Sequence, residues 1–334
     1  MGVDFTDTLV IGVSSRSLFD LERENRVFET GSVEQYRRYQ RDHEDEILAK
    51  GGAFYLVEAL LRLNQFSDEQ LVEVIVMSKN SPDTGLRVLN SIRHYGLDIT
   101  RSAFSGGESL APFLAAFSVD LLLTRDPEDA RVAIDSRHCA AARPFDPPSD
   151  FLPDSEKIRI AFDADAVIFS DDSEYIFKSE GLDRFREHEA RYENIPLEPG
   201  PFAKLIRILS RIHTQIGPER SPLQLAIVTA RNSPAHLRVI RTLREWNVYV
   251  DQAFFLGGID KHRVLQALRP HIFFDDQESH LDLASRHVPA SQVPYRSDSK
   301  LHDPSPSPSL SPSPDDDDGQ LSRSHPEGTI RLSR

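Results

Sequence analysis

The chain has 334 residues, a formal net charge of −14 and 39% hydrophobic residues. That length suits two ordinary domains or one large one, and the composition allows a sizeable buried core. The acidic balance argues against a nucleic-acid polymer as partner, since such a binder needs a basic face for the phosphates, but a bound metal can still attract a small anionic substrate.

The cysteine count and the hydropathy bear on the compartment. Cys139 is the single cysteine, so no disulfide can form within the chain. A reducing compartment fits this composition, and we expect a cytoplasmic protein. No apolar run reaches the roughly 18 residues that a membrane helix requires, so we expect no membrane association.

Strand and helix patterns alternate through the first part of the chain. Each predicted strand is a short run of mostly apolar residues, and a helical pattern follows it. This alternation predicts a parallel sheet with helices on both faces, a doubly wound, Rossmann-like α/β fold. The predicted strands are residues 8–13, 71–77, 102–104 and 119–123, and the predicted helices are residues 33–48, 53–63, 81–95 and 111–117.

The same order of motifs appears twice. VSSRSLF matches FDADAVIF, IVMSKNSP matches IVTARNSP, and VDLLLTRD matches PHIFFDDQ, at a nearly constant separation along the chain. A repeat at fixed spacing indicates two copies of one α/β unit. We therefore predict a first half at residues 1–143, a proline-rich linker at 144–157, a second half at 158–296, and a disordered tail rich in proline, serine and aspartate at 297–334.

The two halves differ at the predicted strand ends, where open α/β sheets bind their ligands. The second half has acidic side chains, a threonine and a lysine there, and the first half has neither the acids nor the lysine at the matching positions. This pattern indicates that the second half alone is catalytically competent. The replacements are Ser14 for Asp163, Arg16 for Asp165, Met77 for Thr229, Leu110 for Lys261, and Thr124 and Arg125 for Asp275 and Asp276.

Each of these second-half residues alone has a simpler explanation. An Asp-x-Asp motif also occurs in turns, a threonine or an aspartate pair often caps a helix, and a lone lysine is usually a surface residue. The order Asp-x-Asp, Thr, Lys, Asp-Asp, each after an apolar strand or a glycine turn, favours one catalytic crevice.

These residue types have defined tasks in phosphoryl transfer. The Asp163 carboxylate can attack phosphorus and form an aspartyl-phosphate, and Asp165 can protonate the leaving alkoxide and later activate water. Thr229 and Lys261 can bind the phosphate and stabilise the developing charge. Two acids one residue apart also repel each other unless a cation or a proton relieves them. The predicted ligands of a Mg²⁺ cofactor are Asp163, Asp165, Asp275 and Asp276.

The same segments resemble a known enzyme family. The order of acids, threonine and lysine is similar to that of haloacid dehalogenase-type phosphatases, and the longer motifs resemble the cytosolic 5'-nucleotidase type I family. Ala164 stands where the family often has glycine, and no proline directly precedes Lys261, but neither departure removes a catalytic atom. The resemblance covers residues 8–296. It rests on VSSRSLF, QYRRYQRDHE, LVEALLRLN, NSIRHYGLDI, SGGES, FDADAVIFSDDSE, GLDRFREHE, PLEPGPF, IVTAR, FFLGG and HIFFDDQ.

The resemblance implies Mg²⁺-dependent hydrolysis of nucleoside 5'-monophosphates, AMP among them, to nucleoside and phosphate. It assigns the nucleophile to Asp163 and the acid/base to Asp165, with phosphate contacts at Thr229 and Lys261 and a metal contact at Asp275. The alternatives are a phosphatase for another small phosphomonoester and a nucleotide-binding regulatory protein with weak turnover. The base preference and the oligomeric state do not follow from the sequence.

Residues 171–200 separate the first two predicted strands of the second half, and we expect them to form a small helical cap over the crevice. The cap aromatics are candidates to contact a base or ribose, although each would also suit packing of the cap onto the sheet. In the first half, Arg16, Lys79 and Asn80 at strand ends suit an anionic nucleotide or effector. The cap candidates are Phe177, Phe185, His188 and Tyr192.

Overall fold

The structure, a computed structural model, describes residues 4–302. Within this range the first half has five strands, β1 to β5, and seven helices, α1 to α7. Their bounds are β1 Leu9–Val13, α1 Ser15–Leu18, α2 Glu22–Thr30, α3 Val33–Asp42, α4 Phe54–Leu61, β2 Val72–Ser78, α5 Leu86–His94, β3 Arg101–Phe104, α6 Ala111–Ala116, β4 Leu121–Leu123, α7 Pro127–Asp135 and β5 Ala140–Pro144.

The second half, again within the described range, has five strands, β6 to β10, and six helices, α8 to α13. Their bounds are β6 Ile158–Phe162, α8 Asp172–Glu180, α9 Leu182–Arg191, α10 Ala203–Ile216, β7 Leu223–Thr229, α11 Ala235–Glu245, β8 Gln252–Phe255, α12 Lys261–Leu268, β9 Ile272–Asp275, α13 Glu278–Ala284 and β10 Ala290–Gln292. Short 3₁₀ helices follow α4 and end the described chain.

All ten strands of residues 4–302 form one continuous sheet in the order β3-β2-β1-β4-β5-β10-β9-β6-β7-β8. Pairing within each half is parallel. β5 and β10 meet antiparallel at the centre, with Pro144 opposite Ser291 and Arg143 opposite Gln292. Counted outward from this central pair, the strands of the two halves follow the same order. The mostly parallel sheet confirms the predicted α/β class.

Buried apolar side chains account for the central strands. Every residue of β1, β2 and β9 is buried, as expected of parallel strands covered on both faces. In the second half the ring centroid of Phe274 lies 4.9 Å from that of Phe202 and 5.5 Å from that of Phe162. The centroids of Phe162 and Phe202 are 6.4 Å apart. Phe162 directly precedes Asp163 and Phe274 directly precedes Asp275, so this aromatic cluster fixes the strand ends on which the two acids stand.

A pair of helices follows the first strand of each half. α8 and α9 form the predicted cap between β6 and β7, and α2 and α3 occupy the same place between β1 and β2. The segment that the sequence presents as an insertion in the second half therefore has a counterpart in the first. Ser32 starts α3 with a capping box, in which its side chain accepts from the Gln35 N–H and its own N–H donates to the Gln35 side chain.

Two predicted helices are shorter than expected. The helix predicted at residues 33–48 ends at Asp42, because the charged residues that follow offer no apolar face to the sheet. The helix predicted from residue 81 begins at Leu86, after a turn in which the Thr84 hydroxyl donates to the Ser81 carbonyl. Both differences lie at element boundaries, where local side-chain hydrogen bonds compete with the helix.

The predicted linker and tail both begin too early. Pro144 is the last residue of β5 and pairs with β10, so the chain is still in the sheet there. Ser297 donates two hydrogen bonds to a carboxylate of α7, and Leu301 is buried, so residues 297–302 pack on the folded part. The rest of the predicted tail, 303–334, lies outside the described residues. Among the helices of the described range, none is both long and apolar enough to cross a bilayer.

Gly200 lies where two backbone segments approach closely. A Cβ atom on Gly200 would lie 2.1 Å from the carbonyl oxygen of Phe169 and 2.7 Å from that of Val167. Backbone atoms cannot move aside as a flexible side chain can, so we expect Gly200→Ala to lower the free energy of unfolding by about 3 kcal/mol. Urea denaturation measures this change.

Gly96→Ala is the matched control. Gly96 has a φ of +65°, and nothing lies within 4 Å of its Cβ position. The same substitution therefore costs only the strain of the left-handed backbone, about 1 kcal/mol. Equal losses of stability in the two variants would contradict the close approach at Gly200.

Candidate active site

The carboxyl ends of three neighbouring strands bring the predicted residues together. β7, β6 and β9 are adjacent in the sheet, with β6 in the middle. Asp163 directly follows β6, and Asp275 is the last residue of β9. Thr229 ends β7, and Lys261 begins α12. All four side chains are buried, and they stand at the edge of the sheet where open α/β folds bind their ligands.

Lys261 joins two of the acids. Its Nζ lies 2.9 Å from Oδ2 of Asp163 and 2.7 Å from Oδ2 of Asp275, and all three side chains are buried. Burial alone would lower the pKa of Lys261, but the two carboxylates more than offset burial and raise this pKa. Lys261 is therefore a buried cation between two carboxylates rather than a surface lysine.

The two carboxylates bound to Lys261 differ in their environments. Burial raises the pKa of Asp163 to about 8 against the opposing charge of Lys261, and the nearby charges of Asp275 and Asp165 add to the rise. Burial would also raise the pKa of Asp275, but Lys261 and His280 hold it below its ordinary value. The His280 Nδ1 lies 3.2 Å from Asp275 Oδ2. Lys261 alone therefore does not hold Asp163 in its charged form at neutral pH, and a further cation would stabilise that form.

A third carboxylate completes a group suited to a metal ion. Oxygen atoms of Asp163, Asp275 and Asp276 lie within 4.8 Å of one another. Asp276 Oδ2 accepts a hydrogen bond of 2.6 Å from the Tyr295 hydroxyl, while its Oδ1 is buried without a partner among the described residues. Burial, followed by the charges of Glu174 and Asp275, raises the pKa of Asp276 well above its ordinary value. Three oxygen donors, one of them unsatisfied, fit a hard cation such as Mg²⁺.

Asp165 has a different partner. Arg231 donates to both of its carboxylate oxygens, from Nη2 at 2.6 Å and from Nε at 2.8 Å, which is a bidentate pair. Arg231 also forms a buried ion pair with Glu189 of α9, and Glu189 accepts from Arg238 at 3.0 Å. Asp165 is not in the group of three acids, so its predicted contact with the metal stays a prediction.

The backbone turns sharply after Asp163. Residues Ala164–Ile168 form a π-type turn, in which Ala166 has a φ of +58°. This left-handed conformation is uncommon for residues other than glycine, and such strain is concentrated at functional sites. In the first half the chain after β1 instead forms the regular helix α1, whose N-cap Ser14 accepts the Ser17 N–H at 3.2 Å. The strained turn therefore occurs in the half that has the acids.

Thr229 stands at the predicted strand end and is buried. Its Oγ1 accepts the backbone N–H of Arg231 at 3.3 Å. Among the described residues its own hydroxyl proton has no acceptor, which suits the phosphate contact predicted for it. That contact stays a prediction.

The cap aromatics have different environments. Phe185 is buried, and its ring centroid lies 5.4 Å from the Arg231 guanidinium, so it packs the cap onto the site. The rings of His188 and Tyr192 pack on each other with centroids 4.6 Å apart. Phe177 is 47% exposed, with its ring centroid 6.1 Å from that of Phe185. Phe177 is therefore the cap candidate with the most surface for a ligand.

Several residues around the acids were not predicted from the sequence. Arg231 stands inside the matched motif IVTAR, but the sequence gives no signal for its pairing with an acid 66 positions earlier. Tyr295 and His280 carry no comparable signal, because a tyrosine after the last strand and a histidine on a helix suit many places. The residues added by the structure are Arg231, Glu189, Arg238, His280 and Tyr295.

Two solved structures show weak similarity to the chain. The structure of the Pnkp1/Rnl/Hen1 complex matches with a TM-score of 0.30 and 12% identity, over 87% of this chain and 97% of that chain. Histidinol dehydrogenase from Elizabethkingia anophelis matches with a TM-score of 0.21 and 10% identity, over 71% of this chain and 48% of that chain. Scores this low establish no common fold.

The sequence comparisons are stronger. A family model described as 5'-nucleotidase matches residues 1–300. Human cytosolic 5'-nucleotidase 1B is 35% identical over 291 residues, which are 84% of this chain and 48% of the relative, so the chain spans about half the length of that curated protein. These matches confirm the family that the motifs resemble, and the chain belongs to the cytosolic 5'-nucleotidase family.

Proposed function

We propose that the protein is a Mg²⁺-dependent 5'-nucleotidase that hydrolyses nucleoside 5'-monophosphates such as AMP to nucleoside and phosphate. The observation that carries this proposal is the group of buried acids joined by Lys261 at the ends of β6 and β9. Membership of the 5'-nucleotidase family supports the substrate class. The name of the human relative supports a cytosolic location.

The reaction proceeds in two steps. An oxygen of Asp163 attacks phosphorus, the bond between phosphorus and the ribose oxygen breaks, and Asp165 gives its proton to the leaving oxygen. The nucleoside departs and an aspartyl-phosphate remains. A water then attacks phosphorus, and Asp165 takes the proton from that water. The bond between phosphorus and the Asp163 oxygen breaks, phosphate departs, and the Asp163 carboxylate is free again. Lys261 and Thr229 contact the phosphate oxygens and stabilise the charge that develops on them.

Asp163, Asp275 and Asp276 would hold the Mg²⁺ ion. The unpartnered Oδ1 of Asp276 and the excess of buried acids support this assignment. When bound, the ion offsets the negative charge of the acids and of the phosphate. Tyr295 and His280 hydrogen-bond two of these carboxylates and would fix their orientation, as outer contacts of metal sites do.

Arg231 is a positioning residue in this proposal. Its guanidinium fixes the Asp165 carboxylate with two hydrogen bonds and also pairs with Glu189 on the cap helix α9. The orientation of the acid/base is therefore coupled to the seating of the cap. Arg231 does not contact the reacting atoms in this account.

We also propose that the fold is that of the haloacid dehalogenase-type phosphatases, in two related halves of which the second keeps the chemistry. The common strand order on either side of the β5–β10 pair supports this proposal. The helix pairs α2–α3 and α8–α9, each placed after the first strand of its half, support it as well.

Asp163→Asn tests the nucleophile. We expect the purified protein with Mg²⁺ to release phosphate from AMP, and the variant to be slower in kcat by at least about a thousandfold, because an amide does not attack phosphorus. Phosphate release is measured across nucleoside 5'-monophosphates and a sugar phosphate. Asp183→Asn is the control, since Asp183 is 93% exposed on the cap, and we expect its rate to be unchanged.

Three outcomes of that assay would change the account. Equal rates for Asp163→Asn and the unmodified protein would show that the nucleophile is wrongly assigned. Faster release from the sugar phosphate would move the substrate to another class of phosphomonoester. No turnover of any compound would favour a nucleotide-binding regulatory protein.

Asp276→Asn tests the metal site. We expect the Mg²⁺ concentration for half-maximal activity to rise by about tenfold or more, because the variant loses a charged oxygen ligand. Calorimetric titration with Mg²⁺ alone should show the same weakening. Asp282→Asn removes an exposed acid of α13 and should change neither quantity. Activity that survives excess chelator would overturn the metal assignment.

Arg231→Lys tests the positioning role. A lysine keeps the charge but cannot form the bidentate pair, so we expect kcat to fall by about a hundredfold while KM changes little. Arg241→Lys is the control, because Arg241 lies on α11 with a 43% exposed side chain, and its partner Glu193 has a 29% exposed side chain. An unchanged kcat, or a loss confined to KM, would show that Arg231 does not position Asp165.

A further inference from the structure

A cavity of about 520 Å³ lies at the carboxyl ends of the first-half strands. Residues that directly follow β1, β2 and β4 line it, namely Ser14, Lys79 and Thr124. The second-half acids stand at the corresponding ends of β6 and β9. Because β5 and β10 pair antiparallel, the strands of the two halves run in opposite directions, and this cavity faces the opposite edge of the sheet from the acids.

Two arginines in the cavity already hold an anionic oxygen. Glu22 Oε1 lies 2.9 Å from Arg16 Nη2 and 3.6 Å from Arg125 Nε. The Nε of Arg16 is buried and has no hydrogen-bond partner among the described residues. Glu22 is 37% exposed, and such a pair contributes little to stability, so an incoming anion can replace it. Guanidinium groups in this arrangement match the oxygens of a phosphate.

The acids of the cavity do not cancel these arginines. Glu24 pairs with Arg87 at 2.7 Å, and both side chains are buried. Asp126 and Asp129 pair with Lys79 at 2.8 and 2.9 Å. Two carboxylates offset the charge of Lys79, so Lys79 adds no net positive charge for a ligand at this strand end. Arg125 also pairs with Asp146, but the Asp146 side chain is 64% exposed, so this pair contributes little to stability and a ligand can replace it. Arg16 and Arg125 remain the groups that can bind an anion.

The groups that hydrolysis requires are absent from the described part of this cavity. Ser14 stands at the end of β1, but its Oγ serves as the N-cap of α1. Leu110 lines the cavity where a lysine would be needed to stabilise the reaction. Among residues 4–302, the group of three acids that can hold a metal ion lies in the second half. A phosphate bound here would meet guanidinium groups directly and would remain intact.

An apolar rim adds a second feature of the ligand. Phe28 is 51% exposed and Val33 is 56% exposed, and both line the cavity. The Phe28 ring lies 5.5 Å from the Tyr36 ring at an interplanar angle of 75°, so one aromatic face is held in place. The Tyr36 hydroxyl donates to the Asn80 side chain at 3.0 Å, which anchors the rim to the end of β2. A fixed aromatic face beside an anion site suits a planar base.

We propose that the first half binds a nucleotide without hydrolysing it, with the phosphate between Arg16 and Arg125 and the base against Phe28. This site is separate from the second-half acids and does not require the proposed hydrolysis. The phosphate displaces Glu22, the first residue of α2, and the contact of the base with Phe28 on the same helix then holds the α2–α3 pair in place.

Equilibrium dialysis of labelled AMP against the full chain in excess chelator tests the site. Without Mg²⁺ the second-half acids repel phosphate, so we expect one AMP bound per chain, at the first half. Arg16→Ala with Arg125→Ala should weaken this binding by at least about tenfold. Arg38→Ala with Arg131→Ala removes two arginines whose side chains are 82% and 45% exposed and should leave binding unchanged. Inorganic phosphate and adenosine should each compete more weakly than AMP.

Hydrogen exchange of the unmodified protein locates the ligand even if the double variant does not fold. AMP in chelator should slow exchange in residues 22–42 and leave residues 163–200 unchanged. Lys261→Ala should not alter AMP binding in chelator. No binding in chelator, protection confined to residues 163–200, or loss of binding in Lys261→Ala rather than in the arginine double variant would each overturn the proposal.

Discussion

The ion pairs of Lys261 with Asp163 and Asp275 are the contact on which the second-half site depends. Both acids are buried, and a buried charge without a partner costs about 3–5 kcal/mol. Lys261 provides one positive charge for these two acids, and Asp276 lies beside them. A divalent cation would supply the positive charge that these three acids need in order to be ionised together. The second buried ion-pair network, between Arg231, Asp165 and Glu189, keeps the acid/base apart from this group.

The antiparallel pairing of β5 with β10 sets the large-scale arrangement. It joins two parallel half-sheets into one sheet and leaves neither β5 nor β10 as an exposed edge. It also points the carboxyl ends of the two halves in opposite directions. The acid site and the first-half cavity are therefore separated by the sheet, which allows each to hold its own ligand.

The sequence was sufficient to predict the acids and their place in the fold. Asp163 and Asp275 follow apolar strands, and the sheet order brings those strands together, so the pattern of residue types carried the prediction. The pairing of Asp165 with Arg231 depends on side chains 66 positions apart, and no periodic pattern encodes such a contact. Lys79 was expected to be available to an anionic ligand, because the sequence does not show that two carboxylates surround it.

The helices were predicted less well than the strands. Charged segments such as residues 33–48 contain helical periodicity beyond the point where an apolar face is available, so the end of α3 depends on packing against its neighbours. The counterpart of the cap in the first half was missed for a related reason. The helices α2 and α3 have few apolar residues, so their match to α8 and α9 rests on few positions, among them Phe28 and Tyr36, which stand 149 positions before Phe177 and Phe185.

The central claim is that Asp163 becomes phosphorylated during turnover. Acid quenching of the protein during reaction with AMP and Mg²⁺, followed by mass spectrometry of its peptides, tests it most directly. The account predicts a peptide containing Asp163 that is heavier by one phosphoryl group, and no such peptide from Asp163→Asn. Phosphate released at full rate with no modified peptide, or a phosphoryl group found on another residue, would contradict it.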